Sequence, residues 1–345
     1  IGSRSMEAEG FECLGRSEEM AVVGLQEVVK HLPHIKNVFY SLLEQAEKRK
    51  PKFALLLDYP DFNLRLAKEL KKRGVKVVYY ISPQVWAWRT GRVKNIRKNV
   101  DHMLVLFPFE EGFYREHGVK VDFVGHPALD ELPTFLAPNE LKIRRNKFGV
   151  SDDEIVLGLM PGSRNSEIEH HLKSQLDAAA LLVKKNPKVR PLLMVAPTLE
   201  REKLAQAMGD VAFPIQLVKE NPNDMIALAD VILVASGTAT LMVGLMEKPM
   251  VIMYRMNALT AWFAKRLVTK TPYFGMVNLV MNRKIVPELF QEQASPEGMA
   301  REVEKLISDS PERSRMVSDL KQVKDRLGSK GATERVRHLL EAYFK

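Results

Sequence analysis

At 345 residues the chain is long enough for two α/β domains of about 150 residues each. Hydrophobic residues at 46% and charged residues at 28% describe a globular chain and exclude a disordered one. The net charge of +9 favours an anionic partner: nucleic acid, an anionic membrane surface or a phosphorylated substrate. A single cysteine, Cys13, excludes an internal disulfide and a cysteine-built zinc site and fits a reducing cytoplasm. No apolar run reaches the length of a membrane span, and no signal-peptide pattern is present. The chain begins at Ile1 and not at Met, so an upstream piece is expected.

Ile1 to Arg16 shows no strong periodicity. From Glu19 to Lys50 the apolar residues, Met20 through Leu43, are too many for one helix face, and Pro33 is expected to divide two helices. Beside Lys30 and Lys36 this surface suits an amphipathic helix lying on a membrane. A core helix or a homodimer contact is the alternative.

Phe53 to Leu57 then reads as a strand ending in Asp58, followed by a helix from Leu64 to Lys72. Lys76 to Ile81 is a strand ending in Ser82-Pro83-Gln84, and Val85 to Lys98 a basic helix carrying Trp86 and Trp88. That helix lacks the interleaved aromatics of a nucleic-acid binder, so no nucleic-acid partner is expected. Met103 to Phe107, a helix from Phe109 to His117, and Val121 to Val124 ending in Gly125-His126-Pro127 complete the first series. Successive β-α units with polar residues after each strand are the pattern of a doubly wound α/β sheet. The Pro- and charge-rich text from Pro127 to about Asn146 reads as the junction to a second series. That series has strands at 155–160, 191–196, 214–218, 231–235 and 249–254, alternating with helices. Ser295 to Phe344 looks all-helical, with a break near Gly328 and Gly331.

Two turns in the second series carry the chemistry. Ile155 to Met160 is a short apolar run stopped by Pro161-Gly162, and Ser163 stands where a helix N-cap is expected. A strand that ends in Gly-Ser and opens a helix aims free N–H groups at one point, and Arg164 adds a planar fork of donors. Val231 to Ala235 leads into Ser236-Gly237-Thr238, a second turn of the same kind. Both belong at the carboxyl edge of one sheet, where such sheets bind ligands, and a nucleotide diphosphate could be held between them. Neither turn matches a Walker A loop or a dinucleotide fingerprint.

Other candidates follow the same logic. Asp58 at a strand's carboxyl end is placed to act as a general base, although it or Asp61 could instead cap the next helix. His126 could donate to a phosphate, against the commoner structural role of a lone histidine. Arg255, after Tyr254, is a third cation for a diphosphate, and Asn278 among apolar neighbours is either a cap or a ligand to sugar or phosphate.

The segments LLLDYPDFNLRLA, YYISPQVWAWRTGRVKNI, VDFVGHPALD, LMPGSRNSEIE, LVASGTATL, MYRMNALTAWFAKRLV and VNLVMNRKIVPELFQ occur in this order. Together they resemble lipid-A-disaccharide synthases, inverting glycosyltransferases of the GT-B fold, over nearly the whole chain. The resemblance implies two Rossmann-like doubly wound domains with a C-terminal helical segment. Residues 1–135 would form the acceptor and membrane-facing domain, 136–310 the UDP-sugar domain, and 311–345 helices packing back on the first domain. It implies transfer of diacylglucosamine from UDP-2,3-diacylglucosamine to 2,3-diacylglucosamine 1-phosphate, with no metal and no cofactor. The enzyme would be cytoplasmic and peripheral on the inner membrane. Carried over by position, Asp58 is the candidate base and Arg164 holds the diphosphate or the acceptor phosphate. Ser163, Ser236, Gly237, Thr238 and Arg255 line the UDP site with Asn278, and Ser82, Gln84 and His126 join the substrate-binding set. Other UDP-sugar enzymes of the fold, an epimerase or the peptidoglycan glycosyltransferase, are the close rivals, and a non-catalytic membrane-binding remnant is the distant one. Two departures stand out. Family members begin with a strand and an A-G-E-x-S-G-D loop that this sequence does not contain. Where they carry Glu four residues after the Thr of S-G-T, this chain has Met242, which cannot accept a hydrogen bond from ribose.

Overall fold

The computed structural model describes residues 1–16, 25–88, 90–257 and 272–344. Arg89, residues 20–24 of the apolar stretch and 258–271 of the MYRMNALTAWFAKRLV segment lie outside the described residues. Two compact units form, the first from Ile1–Leu106, Glu110–Val124 and Glu334–Lys345, the second from Phe107–Phe109 and Gly125–Thr333.

In the first unit four parallel strands, β1 (Phe53–Leu57), β2 (Lys76–Tyr80), β3 (His102–Val105) and β4 (Val121–Phe123), lie in the order of the chain. The order runs one way, as in half of a doubly wound sheet, and leaves β1 at an edge. Val77, Tyr79, Met103 and Val105 are buried with Phe62 and Leu66 of the Pro60–Lys72 helix. The Leu25–Arg49 helix runs unbroken through Pro33, against the expected division. An internal proline costs about 3 kcal/mol. Here the face formed by Ile35, Val38, Phe39, Leu42 and Leu43 packs into the core, with Phe39 edge-on to Phe62 at 5.5 Å. Each such side chain contributes roughly 1.5–3 kcal/mol on full burial, so packing outweighs the break. The basic helix expected over 85–98 is instead two short helices, Val85–Trp88 and Val93–Asn99, with a 3₁₀ turn at Thr90–Arg92 containing Gly91.

In the second unit six parallel strands are ordered β10-β9-β8-β5-β6-β7. They are β5 (Ile155–Met160), β6 (Val189–Met194), β7 (Gln216–Val218), β8 (Val231–Ala235), β9 (Met250–Tyr254) and β10 (Glu288–Phe290). From β5 the chain winds one way to β7, then returns to β8 on the other side and winds outward to β10. The reversal falls between β5 and β8, so the turns after these two strands flank the topological switch point. Helix Met276–Met281 and β10 were not legible as elements, being six and three residues long.

The unit boundaries differ from those expected. The first unit's main run ends at Val124, just past its last paired strand, and not near 135. Helix Pro138–Lys147 belongs to the second unit, where Arg145 donates to the Leu228 carbonyl at 2.7 Å and pairs with Asp230 at 2.8 Å. Residues 311–345 do not act as one piece. Pro311–Arg326 packs on the Ala239–Leu245 and Met276–Met281 helices of the second unit, and only the chain from Glu334 joins the first. Gly328 and Gly331, at φ +86° and +91°, form the break between the last two helices.

Among the described residues no helix is long and apolar enough to cross a membrane, and no group of three acidic, histidine or cysteine side chains is placed to hold a metal.

Candidate active site

The turn after β5 is built around Glu167. Gly162 sits at φ +133°, and a Cβ there would lie 2.5 Å from Glu167, so the position requires glycine. The Glu167 carboxylate accepts the Ser163 N–H at 2.8 Å and pairs with the Arg164 guanidinium at 3.2 Å. Thr198 donates its hydroxyl to the Ser163 carbonyl at 2.7 Å. The helix runs Asn165–Lys185, with Arg164 and not Ser163 at its N-cap. The Arg164 side chain remains 61% exposed, enough to reach an anion beyond the turn.

At the end of β8, Gly237 and Thr238 are exposed, and their N–H groups have no acceptor among the described residues. Space in front of Gly237 is open. Behind it, the buried Thr240 hydroxyl donates to the Gly237 carbonyl at 2.8 Å and braces the turn. Ser236 donates its hydroxyl to the Phe274 carbonyl at 3.2 Å. Arg255, just past β9, donates from its guanidinium to the Ser174 hydroxyl at 2.7 Å. Met242 is half-buried on the helix that follows Thr238.

Asn278 is not free to meet a ligand. It is fully buried, its Nδ2 donates to the Val286 carbonyl and to Glu288 at 3.0 and 2.7 Å, and its Oδ1 accepts the Ile285 and Val286 N–H groups at 2.7 and 3.1 Å. Both donors and both lone pairs of the amide are used. The Glu288 carboxylate also accepts the Phe274 and Gly275 N–H groups at 3.0 and 2.9 Å. Burial raises its pKa while these donors oppose the shift. The pair ties the loop behind Ser236 to β10.

His126 is buried against the Phe107 ring, and its Nδ1 accepts the Ala128 N–H at 3.1 Å. Burial depresses its pKa to about 4, so the ring is neutral near pH 7 and carries its one proton on Nε2. Any hydrogen bond it gives a phosphate is that of a neutral donor.

In the first unit, Asp58 and Tyr59 both take φ of +44°, and Ile81 after β2 takes +68°. Left-handed non-glycine residues cost about 1–3 kcal/mol each and cluster where function needs them. The Asp58 carbonyl accepts the Tyr79 hydroxyl at 2.6 Å and the Asn63 amide at 2.8 Å, which holds the turn. Burial pushes the Tyr79 hydroxyl up, so it remains a donor. The Asp58 side chain is exposed and has no partner among the described residues, whereas Asp61 is paired with Arg92 at 2.8 Å. Asp58 also lines a largely apolar cavity of about 670 Å³ along β1, with Leu42, Leu55, Leu57 and Tyr59. Ser82 is committed inside the protein. It is buried, its hydroxyl donates to the Pro83 carbonyl at 3.0 Å, and it lies 2.8 Å from the Tyr114 hydroxyl. Gln84 is exposed at the start of the Val85–Trp88 helix.

Four residues that shape these turns were missed by pattern alone: Tyr79, Glu167, His171 and Glu288. Only Glu167 carried a signal, as an acid in the first helical turn after a basic residue. The other three act across the fold, at sequence separations that no local spacing encodes.

The family profile described as Lipid-A-disaccharide synthetase matches residues 1–340. Curated lipid-A-disaccharide synthases are similar throughout. That of Trichlorobacter lovleyi is 42% identical over 99% of this chain and 88% of its own, and that of Myxococcus xanthus 40% over 97% and 86%. Among solved structures, the UDP-GlcNAc 2-epimerase from Neisseria meningitidis bound to UDP-GlcNAc aligns at TM-score 0.57 and 13% identity over 93% of this chain and 82% of its own. A calicheamicin glycosyltransferase aligns at TM-score 0.55 and 14% identity over 92% and 83%. At such identities these two speak for the fold alone, which is GT-B. With the family match covering nearly every residue, the chain belongs to the lipid-A-disaccharide synthase family and is a glycosyltransferase.

Proposed function

We propose that this chain transfers 2,3-diacylglucosamine from its UDP carrier to the 6-hydroxyl of 2,3-diacylglucosamine 1-phosphate, forming a β-1,6 link and releasing UDP. The observation that carries the reading is the switch point of the second sheet. The turns after β5 and β8 flank it, the second with the Gly237 and Thr238 N–H groups unpaired among the described residues, and Arg164 and Arg255 follow β5 and β9 at the same edge. The UDP diphosphate is bound by the Gly237 and Thr238 N–H groups and by the two guanidinium groups, which stabilise the charge that develops as the sugar–phosphate bond breaks. Arg164, being exposed, serves either this diphosphate or the acceptor phosphate. Asp58 takes the proton from the acceptor hydroxyl, whose oxygen attacks the anomeric carbon with inversion while UDP leaves. Its strained turn and unpaired carboxylate support that role.

The diacyl substrates call for a peripheral enzyme on the cytoplasmic face of the inner membrane. Exposed Leu32 and Tyr40, at 40% and 66%, lie on the apolar helix and support contact with lipid or with a second copy of the chain.

The test is UDP release when the purified chain meets both substrates in detergent, beside an Asp58→Ala variant. Release that requires both substrates and is lost in the variant is the expected result. Release that survives Asp58→Ala removes the base assignment and keeps the transferase. A folded chain that releases no UDP and binds none overturns the reading.

A further inference from the structure

Helix Asn165–Lys185 is otherwise packed through apolar residues, but it sends a stripe of polar side chains to the carboxyl edge of the second sheet. His171 and Ser174, three positions apart, share a helix face. His171 is fully buried beside the Tyr254 ring, at 5.1 Å between centroids. Its Nδ1 lies 2.8 Å from the Pro161 carbonyl, immediately before the Gly162-Ser163-Arg164 turn. Its Nε2 lies 3.2 Å from the Arg255 N–H and 2.9 Å from the Arg255 carbonyl. A carbonyl only accepts, so Nδ1 carries a proton. A neutral ring holds one proton, so with Nδ1 donating to Pro161 the Nε2 lone pair accepts the Arg255 N–H, and the Arg255 carbonyl beside it receives no proton from the ring. One ring thus spans the backbones of two separate strand ends, and Ser174 holds the guanidinium of the same Arg255.

We propose that His171 is a positioning residue of the diphosphate site, setting the β5 turn and Arg255 at a fixed separation so that both act on one diphosphate. This rests on the proposed UDP site. Burial lowers the His171 pKa, in keeping with a neutral bridge. Neither strand end has another side chain joining it to its counterpart among the hydrogen bonds of the described residues. The polar bridge thus replaces what would be ordinary apolar packing at this depth, where an imidazole without partners would be costly.

The test compares UDP affinity by calorimetry and steady-state kinetics with both substrates in the wild type, His171→Leu and His171→Gln. Thermal melts report folding. Leu removes both hydrogen bonds, whereas Gln keeps one donor and one acceptor. His171→Leu is expected to weaken UDP binding at least tenfold and to lower turnover with the acceptor KM unmoved. His171→Gln should stay within about threefold of the wild type. A folded Leu variant that binds UDP within twofold of the wild type overturns the inference, as does a Gln variant that loses as much as Leu. If Leu does not fold, His171→Asn decides: its shorter amide cannot reach both the Pro161 carbonyl and the Arg255 N–H, and unchanged UDP affinity in a folded Asn variant overturns the proposal. A folded wild type that fails to bind UDP overturns the underlying site itself, which separates that failure from the failure of the bridge.

Discussion

The Tyr79 hydroxyl reaches across from β2 and donates to the Asp58 carbonyl at 2.6 Å, while the Asp58 N–H donates back to the Tyr80 carbonyl at 3.0 Å. Two neighbouring strands thereby hold a residue at φ +44° that would otherwise relax. Removing the hydroxyl leaves the Asp58 carbonyl with the Asn63 amide alone. Tyr79→Phe is expected to cost about 1 kcal/mol of stability and to lower turnover roughly tenfold, since a small shift of a general base is felt in rate. Urea unfolding and initial rates measure the two effects. Unchanged turnover would show that the strained turn does not matter to the reaction.

Asp58 and Asp61 compete for the role of base, and their surroundings separate them. Asp61 is already bound to Arg92, so its carboxylate is spent on an ion pair at the surface. Asp58→Asn should lower turnover by about 10²–10⁴, the range for losing a general base, and Asp61→Asn by less than tenfold. The reverse order would move the base to Asp61.

Most of the fold was legible because parallel strands in this chain are short apolar runs bounded by Gly, Pro and Ser. β1, β5 and β8 begin and end where the sequence places them. What failed was anything decided by packing at a distance. Pro33 does not break its helix because the flanking apolar face is buried. The last helical segment divides between two units because Met316, Leu320 and Val323 are buried on the helix that joins the second. The same holds at the site. Gly162, Ser236 and Gly237 announce themselves as turn residues, but whether a polar side chain faces a ligand or the protein depends on partners far along the chain. Asn278 and Ser82 read as ligands and are consumed internally, while His171 and Glu288 gave no local sign.

Gly162 offers a sharp test of the first turn. Alanine there must adopt φ +133° and push its Cβ into Glu167, the residue that holds the Ser163 N–H. Gly162→Ala is expected to destabilise the chain by roughly 1–3 kcal/mol. It should also weaken UDP binding, because the turn can be relieved only by displacing Glu167. Calorimetric UDP titration beside urea unfolding checks both, and an Ala variant of wild-type stability would contradict the account of the turn.

Asn278 should behave as a brace. Asn278→Leu leaves the Ile285 and Val286 N–H groups and the Val286 carbonyl buried without their partner and removes a donor to Glu288. A loss of about 2 kcal/mol or more is expected. In the fraction that remains folded, the donor KM should stay within about twofold. A variant of normal stability with a greatly raised donor KM would instead make Asn278 a ligand.

The pH dependence of stability should carry the mark of His126. Its pKa falls from 6.5 to about 4 on folding because the ring is buried. Between these values the unfolded chain binds a proton that the native chain does not, so stability rises with pH across the window. The contribution is therefore complete above pH 6.5 and is lost as pH falls through about 4. Its size is about 3 kcal/mol. His126→Asn keeps an acceptor for the Ala128 N–H and removes the titrating group. Urea midpoints at pH 7, 5.5 and 4.5 should therefore decline less steeply in the variant than in the wild type. The other histidines and the carboxylates titrate in both proteins, and the difference between the two curves isolates this ring. Parallel curves would mean that His126 is accessible to a proton in the native state, and with it that the Gly125-His126-Pro127 turn presents a cation where the structure places a neutral donor.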